Sequence, residues 1–151
     1  MRIAMLALAV FLSVPAALAQ ECEEIVLVEP GDGSIGVSHV QALYNCCAWI
    51  EFDILQDGFE IDVHEWERFE FGPCYCMCCF DLFATVSGLA SGEYEVTVWK
   101  HRFDVPTEAL GPWIVAVSGS SLPGIETRYF PCAQTDVDEP GTWGVIKALY
   151  R

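Results

Sequence analysis

Eight cysteines dominate the chemistry available to this chain of 151 residues. Four crowd into Pro73-Cys74-Tyr75-Cys76-Met77-Cys78-Cys79, two form the vicinal pair Cys46-Cys47, and Cys22 and Cys132 stand apart. Thiolates this close together suit zinc or copper(I), which makes Cys46, Cys47, Cys74, Cys76, Cys78 and Cys79 a candidate ligand set. Zinc ligands are, however, usually paired about two to four residues apart, with a second pair far along the chain. A redox dithiol in Cys76-Met77-Cys78-Cys79 would need a helix N-terminus to lower its pKa, and a strand-like pattern follows instead. Structural disulfides are the favoured expectation for all eight, since an even count in an exported chain meets nothing that keeps thiols reduced. Neighbouring cysteines rarely bond each other because the ring is strained. Each vicinal pair should therefore send its members to different partners. A link from Cys46 to the cluster is attractive, with Cys22 and Cys132 open as partners for either group. No cofactor and no metal is expected.

Other constellations are thinner. His39, His64 and His101 are scattered, and Asp62 and Glu65 flank His64 in what reads as a solvated acidic rim. No Gly-x-Ser-x-Gly, His-Glu-x-x-His or phosphate-binding glycine loop is present, so a non-enzyme is expected. Pro30-Gly31-Asp32-Gly33-Ser34 has a calcium-loop flavour but lacks the alternating aspartates, and reads as a turn. Trp49, Phe83 and Trp99 fall on exposed strand faces. From adjacent strands they would form a patch for a protein or carbohydrate partner; a C-terminal tail bearing Trp143 and Leu149 is the alternative occupant.

Compartment is written in the first residues. Arg2 precedes an apolar run from Ile3 to Val14, Pro15 breaks it, and Ala17-Leu18-Ala19 has the small-x-small form of a signal-peptidase site. The run of about a dozen residues is too short for a spanning helix, which takes roughly 20. Gln20 and Glu21 separate Ala19 from Cys22, which disfavours lipid attachment. A signal peptide over 1–19 leaves 132 residues, enough for one domain. The expected location is secreted: extracellular, periplasmic or at the cell surface. The formal charge is −15, or −16 once Arg2 departs. So few cations cannot track a phosphate backbone, and an anionic membrane would repel the chain. Solubility is the favoured reason for the charge, and attraction to cations or a basic partner is the sharper alternative.

Period-two alternation gives an all-β reading. Glu23 to Glu29 is a short strand. Leu43 to Leu55 reads as one long strand, with Cys46, Ile50, Phe52 and Ile54 on its inner face. Asp57-Gly58 is a hairpin signal, and the returning strand puts Phe59, Ile61 and Val63 inward. Glu65-Trp66-Glu67-Arg68 breaks the pattern and reads as a bend or bulge. Phe80, Leu82, Ala84 and Val86 share a face, as do Tyr94, Val96 and Val98. Pro112 to Ser118 is the last strand. That makes about seven strands from Glu23 to Ser118, with no helical period and no repeat. The domain is expected over 20–119. Residues 120–151 read as a tail tied back through Cys132.

The stretch Gly88-Leu89-Ala90-Ser91-Gly92-Glu93-Tyr94-Glu95-Val96-Thr97-Val98 resembles the penultimate corner of fibronectin type III and related immunoglobulin-like sandwiches. There a leucine, a small turn and a tyrosine precede an alternating strand. The resemblance covers about 20 residues and implies fold rather than function. It implies a disulfide-stapled immunoglobulin-like sandwich with Tyr94 as the corner tyrosine, ring buried and hydroxyl bonded to nearby backbone. In that fold the two cysteine-bearing strands run antiparallel, which separates Cys46 from Cys78. The ending Thr142-Trp143-Gly144-Val145-Ile146-Lys147-Ala148-Leu149-Tyr150-Arg151 resembles a short tail of exported bacterial proteins and implies sorting or anchoring. A short amphipathic helix with Trp143, Ile146, Leu149 and Tyr150 on one face is the other reading.

Together these features point to a non-catalytic binding or structural module outside the cell, with an unidentified protein or carbohydrate partner. A metal-binding protein built on the cysteine cluster, or a secreted inhibitor with a disulfide-braced loop, are the alternatives.

Overall fold

A computed structural model describes residues 22–131. The expected signal peptide, Cys132 and the 142–151 ending lie outside the described residues. Alternating side chains make eight strands: β1 (Ile25–Gly31), β2 (Ser34–Asn45), β3 (Trp49–Asp57), β4 (Glu60–Arg68), β5 (Met77–Ser87), β6 (Gly92–His101), β7 (Glu108–Val117) and β8 (Gly124–Phe130). They form two four-stranded sheets, ordered β1-β2-β5-β8 and β3-β4-β6-β7. The fold is an all-β sandwich stapled by disulfides, as expected.

Inward residues of the two sheets meet in a core of Ile35, Val37, Ile61, Val63, Val86, Tyr94, Val96, Val98 and their neighbours. A second cluster of Ala42, Tyr44, Ile50, Phe80 and Leu82 lies further along the strands. Each fully buried aliphatic side chain here contributes about 1.5–3 kcal/mol. The expected Asp57-Gly58 hairpin forms, with Asp57 opposite Glu60 and Gly58 at φ +60°. That conformation costs glycine nothing. Phe59, expected inward, sits in the turn and is half exposed. Tyr94 behaves as the corner tyrosine: its ring is buried and its hydroxyl donates to the Ala90 carbonyl at 3.1 Å.

Four expectations change. The long strand from Leu43 to Leu55 is two strands in different sheets, because the chain turns at Cys46-Cys47. The inner face expected of it holds, since Ile50, Phe52 and Ile54 turn to the core; upstream, β2 carries a bulge between His39 and Ala42, with Gln41 at φ 55°. The extra residue lets His39 and then Ala42 and Tyr44 all face inward. Glu65 to Arg68 is not a bend, since β4 runs regularly to Arg68; Glu65 simply occupies an inward position. The sandwich extends past residue 119: Gly124–Phe130, read as tail, pairs antiparallel with β5. Finally, β4 lies between β3 and β6 and runs parallel to β6. The immunoglobulin order instead places the third strand directly beside the sixth.

Candidate functional site

β4 and β6 run side by side in register, with Glu65 opposite Lys100, His64 opposite Trp99 and Trp66 opposite His101. Alternation sends Glu65 and Lys100 into the sandwich and the four rings to the outer face. Two polar assemblies therefore sit back to back on the same two strands.

The inner assembly links both sheets. Glu65 Oε2 lies 2.8 Å from His39 Nδ1 and accepts the Tyr44 hydroxyl at 2.8 Å. Lys100 donates to Glu24 Oε1, which also accepts the Leu43 N–H at 2.8 Å and faces His39 Nε2 at 3.5 Å. His39, Tyr44, Glu65 and Lys100 are at most 1% exposed. Burial alone would lower the His39 pKa, but its contacts with Glu24 and Glu65 reverse this and raise it to about 9. Burial alone would raise Glu24. The facing His39 imidazole and hydrogen bonds from Lys100 and the Leu43 amide overcome that and bring it down to about 2. Two carboxylates thus balance one imidazolium and one ammonium, which is what makes such a buried set tolerable. The hydrogen-bonded His39–Glu65 pair has the form of an acid/base couple, yet neither group is open to a substrate.

The outer assembly is a group of near-parallel rings. Trp66 and His101 stack at 3.6 Å and 6°. His64 lies beside them, 6.0 Å from Trp99 and 5.2 Å from His101. His64 Nδ1 is hydrogen-bonded to His101 Nε2 at 2.9 Å, the tautomers deciding which donates. Trp99 Nε1 donates to Asp62 Oδ1 at 2.7 Å. The Arg68 guanidinium lies 4.9 Å over Trp66 while its Nε donates to Glu51 at 2.7 Å. Desolvation, then the positive fields of His64 and Arg68, hold the His101 pKa below the usual histidine range.

The expected patch of Trp49, Phe83 and Trp99 does not assemble. Trp49 and Trp99 lie on the β3-β4-β6-β7 sheet, separated by β4, whereas Phe83 lies on β5 in the other sheet. Phe83 instead contacts Arg128 and Phe130 of β8. Trp99 stacks beside His64, which in turn lies against Trp66 and His101. Alternation around His64 was the available signal, and taking Glu65-Trp66 for a bend hid it.

Five of the seven described cysteines are in disulfides. Cys22 bonds Cys79, Cys47 bonds Cys74, and Cys78 is also disulfide-bonded. Both vicinal pairs send one member away, as strain requires. Cys46 and Cys76, expected in disulfides, are thiols in this structure. They lie together where the Cys46 N–H donates to the Cys76 carbonyl at 3.2 Å. Burial and a hydrogen bond with Cys76 push Cys46 up to about 11. Asn45 organises the corner, its Oδ1 accepting the Cys47 and Cys74 amides and its Nδ2 donating to the Cys74 carbonyl. The six-cysteine metal set does not fit: disulfides consume four of its members. Among the described residues no three His, Cys, Asp or Glu side chains are grouped to hold a metal, and no helix is long and apolar enough to cross a membrane. Comparison with family models, curated proteins and solved structures yields no match to this chain.

Proposed function

We propose that this chain is a non-catalytic, exported binding module, working outside the cell or at its surface, and that the outer face of β3-β4-β6-β7 is its binding surface. One observation carries the reading: four aromatic rings from β4 and β6 are gathered on a partly exposed sheet face with no covering element among the described residues. Large rings on an open face supply contact area at low entropic cost. The disulfides support export, since they persist where thiols are oxidised. At the level of fold type we read the module as a distant variant of the fibronectin III or immunoglobulin-like sandwich. The Tyr94 corner supports that reading, and the parallel β4–β6 pair is its departure. Glycan and peptide arrays probed with the labelled protein and with the Trp66→Ala/Trp99→Ala variant test the binding surface. Hits that vanish in the variant support it; hits indifferent to the variant, or hydrolysis of the arrayed ligands, overturn it.

A second reading, a secreted inhibitor, is favoured by the loop between β4 and β5. Cys74 ties that loop to Cys47, and Phe71 and Tyr75 stand out from it almost fully exposed (93% and 111%). Exposed aromatics on a braced loop have the form of interface anchors. A protease panel assayed with the wild type and Tyr75→Ala tests it: inhibition lost in the variant supports it, and no inhibition rejects it.

A further inference from the structure

Charge narrows the partner. The strands β3, β4 and β6 present seven carboxylates on the same outer face as the rings: Glu51, Asp53, Asp57, Glu60, Asp62, Glu93 and Glu95. Arg68 is the cation those strands set among them, because Lys100 points inward. Arg68 also shows how a guanidinium is received here. It lies over the Trp66 ring and bonds the Glu51 carboxylate, joining a cation–π contact to a charge-assisted hydrogen bond. The neighbouring row repeats those ingredients without an arginine. Asp53 lies opposite His64, His64 opposite Trp99, and Asp62 already accepts from the Trp99 indole.

We propose that this face binds an arginine-rich segment of another protein, with incoming guanidinium groups lying on Trp99 and pairing with Asp53 and Asp62 as Arg68 does with Trp66 and Glu51. This rests on the binding-module reading and adds the partner's chemistry. Arginine fits better than lysine because its planar fork stacks on a ring and meets a carboxylate in two directions at once. A neutral sugar would use the rings and leave seven carboxylates without a role. A nucleic acid or an anionic membrane would be repelled by them.

The test is calorimetric titration with an arginine octapeptide, a lysine octapeptide and a neutral glucan oligosaccharide. The wild type should bind the arginine peptide most tightly, and affinity should fall as salt rises from about 0.02 to 0.5 M. Asp53→Asn/Asp62→Asn should weaken binding about tenfold, and Trp99→Ala about fivefold at unchanged charge. Glu29→Gln/Glu126→Gln on the other sheet removes the same charge and should change affinity less than about twofold. Equal losses in the two charge pairs would mean the acidic chain attracts the peptide without a site, and would overturn the proposal. So would absent binding. Tighter binding of the glucan that still depends on Trp99 would overturn the cationic partner and leave the binding module standing. If neither the peptides nor the array ligands respond to the ring variants, both fall.

Discussion

Glu65 and Lys100 differ from their chain neighbours Trp66 and Trp99 only by one step of strand alternation, yet the two sets belong to opposite kinds of site. Inside, His39, Glu65 and Lys100 are sealed from water, Glu24 is about a third exposed, and each charge is matched by an opposite one. Outside, the rings are partly wet and carboxylates outnumber cations. The inner set joins the sheets through β2 and the Glu24 segment, whereas the outer set touches only its own sheet. A buried network resists change because each member leaves a partner unsatisfied when removed. An open ring face tolerates change in stability while losing what it could bind.

The largest test of this contrast is Glu65→Ala, which strands the His39 imidazolium and the Tyr44 hydroxyl. It should cost about 3–5 kcal/mol in chemical denaturation. His39→Leu/Glu65→Leu should recover much of that, since a matched apolar replacement removes the uncompensated charge. A single-variant loss under about 1 kcal/mol would mean the network is not a lock.

Cys22→Ala/Cys79→Ala comes next. Cys22 and Cys79 are 57 residues apart in sequence. Opening that link should cost about 4 kcal/mol by chain entropy. It should also loosen Glu24, two residues from Cys22, and bring the His39 pKa back toward its ordinary value. An unchanged His39 titration would separate the disulfide from the network.

The two assemblies should also respond to pH with opposite signs. His39 has a raised folded pKa, so its contribution is complete below about 6.5 and is lost as pH rises through about 9. His101 has a lowered folded pKa, so its contribution is present above about 6.5 and fades as pH falls below that value. Proton NMR of the imidazole signals should show His101 titrating below His39. The reverse order would contradict both placements. The smallest effect is expected at the rim: Arg68 and Glu51 are 45% and 47% exposed. Arg68→Ala should therefore change stability by under about 1 kcal/mol, as exposed pairs do.

Much of the fold was legible because alternation in β5, β6 and the first half of β4 is regular and Asp57-Gly58 and the Tyr94 corner are local signals. β2 was not, because an unannounced bulge at Gln41 shifts its phase. β8 escaped because Gly124–Phe130 is mostly exposed on an edge and carries little hydrophobic pattern. The buried network was hidden for a similar reason: Glu65 and Lys100 look like surface residues until both sheets are in place. Partners of Cys47 and Cys79 depend on long-range approach, which spacing does not encode. The ring face was half legible, since Trp99 was identified while its companions across the parallel β4–β6 pair were not.

The most direct test sets adjacent residues against each other: Trp99→Ala and Lys100→Met, each measured for thermal unfolding and for arginine-octapeptide binding well below Tm. Trp99→Ala should lower Tm by no more than about 4 °C and weaken binding about fivefold. Lys100→Met should lower Tm by about 10 °C and leave the folded protein's affinity within about twofold. Binding that follows Lys100, or survives without Trp99, would contradict a structural lock inside and a binding face outside.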